Sequence, residues 1–141
     1  MNRLSIIVPV YNGEKTIKRA IDSLLNQTEE VDIIVVNDGS TDNTEGIAKG
    51  YSENNIHYFY KVNGGISDAR NFGISKVNTD FFGFLDSDDY VKEDMAEKML
   101  SAIGDNDICM SNFTWVYEDG SRKEAKDIGY KDKHEIIEKM F

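Results

Sequence analysis

The 141-residue chain, with 40% hydrophobic and 30% charged residues, is sized and composed for one folded domain with an ordinary core rather than for a disordered segment. Its net charge of −10, from 26 acidic against 16 basic residues, argues against a surface built for duplex nucleic acid, which is gripped by Lys and Arg on phosphates. A phosphorylated small ligand stays open, because a bound cation and local amides can supply the positive field.

The apolar start, "LSIIVPV" (residues 4–10), is rich in β-branched residues and ends at Asn12-Gly13, which predicts a buried first strand. It lacks a small-residue cleavage site, so a strand is preferred to a signal peptide. Pro9 falls at the end of this strand, where a missing amide is tolerated. In "EKTIKRAIDSLLNQ", Ile17, Ala20, Ile21, Leu24 and Leu25 mark one face of a helix. "DIIVVN" (32–37) reads as a second buried strand, and in "DGSTDNTEGIAKGY" Asp42 and Glu45 have capping-box spacing ahead of a short helix.

"IHYFYK" (56–61) predicts a third strand, "GGISDARNFGISKV" (64–77) a glycine-rich turn feeding a helix, and "FFGFLD" (81–86) a fourth strand. From Glu93 onward Ala96, Met99, Leu100 and Ile103 repeat the helical spacing. Strands apolar on both faces, alternating with helices, predict a parallel sheet covered by helices. The tail differs: "DICMSNFTWVYEDGSRKEA" has a hairpin signal at Asp119-Gly120, and "KDKHEIIEKMF" begins a further helix. No apolar run approaches the roughly 20 residues that span a bilayer. The single cysteine, Cys109, has no second one to join in an intrachain disulfide, which fits a reducing compartment.

Ligands of open α/β sheets bind outside the carboxyl ends of the strands. The polar signals fall there: "VYNG", "NDGSTD", "NGGISDAR" and "DSDD", one after each strand, and they are expected to converge on one crevice. "DSDD" (86–89) reads equally as a solvated turn capping the next helix or as oxygen ligands for a hard cation. A calcium loop is rejected, since Val91 stands where that loop needs glycine. Asp38, at a strand end before Gly39, is suited to accept hydrogen bonds from a base or ribose, while Thr41 and Asp42 read as caps. The amides of Asn63, Gly64 and Gly65 give turn flexibility or approach a phosphate. No G-x-G-x-x-G fingerprint links a strand to a helix. His57 and His134 lack partners at metal or catalytic spacing. Trp115 is read as a strand-packing residue, with sugar stacking as the lesser alternative.

The ordered motifs "SIIVPVYNGEKTIKRAIDSLLNQT", "IIVVNDGSTDNT", "NGGISDARNFGI" and "FFGFLDSDDY" resemble the nucleotide-binding half of a family 2 glycosyltransferase of the GT-A fold. The resemblance covers nearly all of residues 4–100 and is weak over 101–141, so residues 1–100 are expected to be the nucleotide-binding part and 101–141 the incomplete start of an acceptor-side part. It implies inverting transfer of a sugar from a nucleotide-diphosphate donor, a UDP-sugar, to an acceptor hydroxyl in polysaccharide or glycolipid synthesis. Pro9, Tyr11 and Asn12 would lie against the nucleobase, Asp38 would read a uracil edge, and Arg70 would sit near base and phosphates. Asp86-Ser87-Asp88 resembles the Asp-x-Asp motif, its first member near the ribose and its last, Asp88, on Mn²⁺ or Mg²⁺; Asp86 and Asp89 are further metal candidates. The general base expected of such an enzyme finds no match before Phe141, and Glu118 and Asp119 read as solvated turn residues. A non-catalytic nucleotide-binding or regulatory module is the alternative. A phosphoacceptor receiver domain is disfavoured because "PVYN" lacks the paired acids it needs. The expected location is the cytoplasm or the inner face of the cell membrane.

Overall fold

A computed structural model of the chain describes residues 2–125. The chain divides into two compact units, Met1–Asp105 and Asn106–Phe141. The helix expected from "KDKHEIIEKMF", and His134 within it, lie outside the described residues.

The first unit is a four-stranded parallel sheet, β1 (Leu4–Val10), β2 (Asp32–Asp38), β3 (Ile56–Lys61) and β4 (Phe81–Phe84), in the order β3-β2-β1-β4. Between them run α1 (Ile17–Leu25), α2 (Thr44–Lys49) and α3 (Ile66–Ile74), and α4 (Met95–Ile103) follows β4. Because β1 and β2 are central, they must be apolar on both faces, and the strand alternation sorts them cleanly. Leu4, Ile6, Val8 and Val10 of β1, with Ile33 and Val35 of β2, pack with Ile17, Ala20, Ile21 and Leu24 of α1, Ala48 of α2 and Ala96 of α4. Ile7, Ile34 and Val36 point to the other face and meet Ala69 and Phe72 of α3. A side chain at Gly73 would collide with Ile7, so glycine permits α3 to press onto the sheet.

The chain steps from β1 outward to β3, then returns across the opposite face through α3 to place β4 on the far side of β1. Strand order reverses at β1, the position where open α/β sheets open a crevice. The β1–β4 ladder ends at Ile7 opposite Phe84, so Pro9, inside β1 and opposite Val36, needs ladder bonds on one side only. That explains a proline in a central strand more closely than its distance from the strand end.

Two local expectations are corrected. The Asp42–Glu45 capping box does not form: Asn43 is the N-cap, Asp42 Oδ1 accepts the Thr44 amide at 3.0 Å, and Glu45 turns outward to Lys49. Nor do the acids of "DSDD" cap α4, whose N-cap is Asp94; the Ala96 amide donates instead to Gln27 Oε1 at 2.9 Å. Gln27 and Thr28, just past α1, thus tie that helix to the start of α4, with the Thr28 amide donating to the Glu93 carbonyl at 2.8 Å. β4 also departs from the two-sided burial expected of it. Phe82 is 47% and Phe84 43% exposed: among the described residues β4 is an edge strand, and the core beneath α3 is built on β1 and β2.

In the second unit, β5 (Thr114–Val116) and β6 (Arg122–Glu124) form the antiparallel hairpin expected around Asp119-Gly120, with Gly120 at φ +80°. Trp115 meets Phe113 edge to face and has Lys123 over its ring, yet it is not buried. No helix among the described residues is long and apolar enough to cross a membrane.

Candidate functional site

All four strands are parallel, so their carboxyl ends, and the four turns that leave them, lie along one edge of the sheet. Three of the turns meet through named atoms. Asn12, at φ +52°, sits in the left-handed region that asparagine tolerates. Its amide donates to Ser40 Oγ at 2.9 Å, and its Oδ1 accepts the Thr41 amide at 2.8 Å. The Gly13 amide donates to Thr44 Oγ1 at 2.9 Å, the Glu14 amide to Asp42 Oδ2 at 3.0 Å, and the Asn43 amide to Glu14 Oε2 at 3.0 Å. The first and second turns are therefore braced to each other, which gives Asn12, Thr41 and Asp42 a structural role across the turns rather than a purely local one. A Cβ at Gly13 would also meet Ser87 Oγ at 3.5 Å, so the acidic turn abuts the first.

A pocket of about 360 Å³ opens at the ends of β1 and β2, lined by Pro9, Val10, Tyr11, Asp38, Asn63, Gly65, Ile66 and Ala69. Its volume lies within the range of roughly 300–1,000 Å³ usual for small-molecule sites. Tyr11 and Ile66 are exposed apolar walls. Asp38, only 3% exposed, supplies the charge. Its Oδ1 accepts Lys61 Nζ at 2.6 Å and the Gly64 amide at 3.0 Å, and its Oδ2 accepts the Gly65 amide at 2.8 Å. Burial pushes its carboxyl up, but the Lys61 ammonium and the two amides outweigh burial and hold it below the ordinary carboxylate value. These amides are therefore turned to Asp38 rather than left for a phosphate. Gly39, at φ +75° with Asn63 against it, lets the 62–65 turn close over the strand end, where Asn63 Nδ2 donates to the Asp38 carbonyl at 2.9 Å.

One helix joins this pocket to the acidic turn. Ala69 of α3 lines the pocket, and the next residue, Arg70, donates to Asp86 Oδ1 at 2.8 Å with its guanidinium 5.5 Å from the Phe84 ring centre. Arg70 Nε is buried without a hydrogen-bond partner among the described residues, leaving a donor unmet at the junction. The turn itself is tight, with the Asp89 amide donating to the Asp86 carbonyl at 2.9 Å. Asp86, Asp88 and Asp89 are exposed and Ser87 is half-buried. Partial burial of its carboxyl, then the charges of Asp88 and Asp86, push Asp89 above the ordinary value, with Arg19 pulling it partly back. Arg19 also donates to the Asp88 carbonyl and lies over the Tyr90 ring.

Among the described residues, no three His, Cys, Asp or Glu converge on a point where an ion would be held by protein alone. The donor chemistry nonetheless suits a hard cation that keeps waters and takes its other ligands from a diphosphate, since such ions commonly use one or two carboxylates. Of the residues expected at the site, Pro9, Tyr11 and Asp38 line one pocket, and Arg70 pairs with Asp86 beside it, a pairing that sequence reasoning did not make. It also missed Lys61 and Ile66, and it read Asn63 only through its backbone amide, whereas the Asn63 side chain bonds the Asp38 carbonyl. The available signal was that the predicted second strand stops just before Asp38 and the third at Lys61, residues that stand opposite each other once β2 and β3 pair.

A mostly parallel four-stranded α/β sheet flanked by helices, with a pocket and an acidic turn at its carboxyl edge, has the GT-A architecture. The chain belongs to glycosyl transferase family 2, whose model matches residues 5–140. Among curated proteins, the putative glycosyltransferase EpsH of Bacillus subtilis is 36% identical over 98% of this chain and 42% of its own length. The minor teichoic acid biosynthesis protein GgaB of the same organism is 44% identical over 69% of this chain and 11% of its own. Among solved structures, S. aureus TarS 1–349 in complex with UDP-GlcNAc superposes with a TM-score of 0.68 at 34% identity, over 73% of this chain and 31% of that one. The chain thus spans less than half the length of each of these relatives.

Proposed function

We propose that this chain forms the donor-binding part of an inverting glycosyltransferase, which moves a sugar from a UDP-sugar to an acceptor hydroxyl in polysaccharide or glycolipid synthesis. One observation carries the reading: α3 links a nucleobase-sized pocket, with a buried carboxylate, directly to the exposed acidic turn through Ala69 and Arg70. The UDP-GlcNAc complex of TarS supports the choice of donor, and the teichoic acid role of GgaB supports a cell-envelope polymer as the acceptor class.

In this proposal Pro9 and Tyr11 hold the base by apolar contact and Asp38 accepts its N–H. Asn12 acts by fixing the turn that carries Tyr11. Arg70 faces the base and phosphates from α3, Asp86 the ribose, and Ser87 completes the turn. Asp88 would hold Mn²⁺ or Mg²⁺, with Asp86 and Asp89 as further ligands, and the bound ion supplies charge neutralisation for the departing nucleoside diphosphate. An inverting displacement also requires a base within about 2.6–3.2 Å of the acceptor hydroxyl. Glu118 and Asp119 are poor candidates, since both are exposed in the hairpin turn and Asp119 Oδ1 accepts the Ser121 amide.

Isothermal titration with UDP and pyrophosphate, each with Mn²⁺, tests the pocket. Asp38→Ala should weaken UDP by at least about tenfold and leave pyrophosphate nearly unchanged, the loss of one charge-assisted hydrogen bond. Equal losses for both ligands would refute the base-contacting role. The alternative, a non-catalytic nucleotide-binding module, predicts UDP-sugar binding with no metal-dependent transfer.

A further inference from the structure

Asp38 and Lys61 stand opposite each other at the last rung of the β2–β3 ladder. The Lys61 side chain is 14% exposed, and its ammonium donates to Asp38 Oδ1 at 2.6 Å, to the Val62 carbonyl at 2.6 Å and to the Asp68 carboxylate. An ammonium has three donors, so none remains for a ligand and Lys61 must act through Asp38. A carboxylate offers roughly four acceptor sites, two on each oxygen. Lys61 and the Gly64 amide occupy both sites on Oδ1, whereas Oδ2 accepts the Gly65 amide and keeps one site.

We propose that Lys61 is a specificity-determining positioning residue: with the Gly64 amide it fills Asp38 Oδ1, leaving the pocket one carboxylate acceptor that selects a base edge with a single N–H over an edge with two. The proposal rests on Asp38 being the carboxylate that meets the base. Uracil presents one imide N–H between two carbonyls. Guanine presents a ring N–H and an exocyclic amine side by side, and a one-acceptor site leaves the second donor buried and unpaired, which costs more than a made bond gains. Cytosine presents a ring acceptor where uracil presents its N–H, so the carboxylate repels it.

Purine size is removed from the test by comparing GDP with inosine diphosphate, which has the same rings and a single N–H on that edge. In titrations of the unmodified chain with Mn²⁺, inosine diphosphate should bind at least about fivefold more tightly than GDP; equal or weaker binding overturns the proposal. Lys61→Met frees a site on Oδ1, so that ratio should fall to near one. Asp68→Asn, which leaves Lys61 on Asp38, should preserve it. A ratio that survives Lys61→Met, in a variant with an unchanged circular dichroism spectrum, overturns the role of Lys61. If Lys61→Met does not fold, the unmodified chain and Asp68→Asn decide, and loss of the ratio in Asp68→Asn counts against the proposal. The 3-methyluridine diphosphate control isolates the underlying reading: with its N–H blocked it should bind at least about fivefold more weakly than UDP. If it binds as tightly as UDP, Asp38 does not read the base, and the inference falls with that reading rather than through Lys61.

Discussion

The two polar turns that flank β1 are built on opposite principles. Where β1 and β2 exit, Asn12, Glu14, Ser40, Thr41, Asp42 and Thr44 satisfy one another across the two turns, so charge and hydrogen-bonding capacity are consumed internally. Where β4 exits, three carboxylates crowd one turn, with Arg70 on Asp86 and Arg19 at the Asp88 carbonyl as their cationic neighbours. The first arrangement is a brace, whereas the second leaves its carboxylates exposed to solvent. Two equally polar motifs therefore differ in how far their side chains bond to one another inside the protein.

Substitution at the acidic turn should have the largest functional effect and the smallest structural one. Asp88→Asn is expected to abolish most metal-dependent UDP binding, by roughly a hundredfold where one of one or two anionic ligands is lost. Its melting temperature should stay close to that of the unmodified chain, because the side chain is exposed and the bond from Arg19 goes to the backbone. Unchanged affinity with Mn²⁺ would sink the metal assignment.

The brace should respond the other way round. Thr44 is fully buried, and Thr44→Val keeps its shape while leaving the Gly13 amide without its acceptor. About 1–3 kcal/mol of stability should be lost, measured by urea unfolding. A loss well below 1 kcal/mol would mean that the turns hold together without this bond.

Acid should expose a smaller version of the same contrast. Burial raises the carboxyls of Asp38 and Asp42, but hydrogen bonds outweigh it and hold both below the usual value, Lys61 leading for Asp38 and Thr44 for Asp42. Folded values below unfolded ones mean that their stabilisation is complete above the unfolded pKa, near 4, and is lost as pH falls through the folded values. The melting temperature should therefore decline below about pH 5, and Asp42→Asn should flatten part of that decline. An identical pH profile in the variant would remove Asp42 from the account.

Much of the architecture was legible from local pattern. The 3.6-residue spacing of Ile17, Ala20, Ile21 and Leu24 predicted the face of α1 that is in fact buried, and the apolar runs gave β1, β2 and β3 nearly to the residue. β4 was found as a strand, but its exposed phenylalanines go with its edge position among the described residues, which no local pattern records. The candidate site was legible as a set of turns, because strand ends in a parallel sheet share one edge, while the partners within it were not. Thr41 looked like a helix cap and instead donates to Asn12, 29 residues away.

The sequence by itself determined which segments are strands and helices, which faces are apolar, and which polar turns follow the strands, since periodicity and turn chemistry are short-range properties of the chain. Only the tertiary structure decided that β3 lies beside β2 and β4 beside β1, and with that order which donor meets which acceptor. Lys61 reached Asp38, and Arg70 reached Asp86, through strand order, register and the crossover of α3. Hydrogen bonds are directional and short, so the identity of a site's partners is fixed by that three-dimensional arrangement and not by the residue types alone.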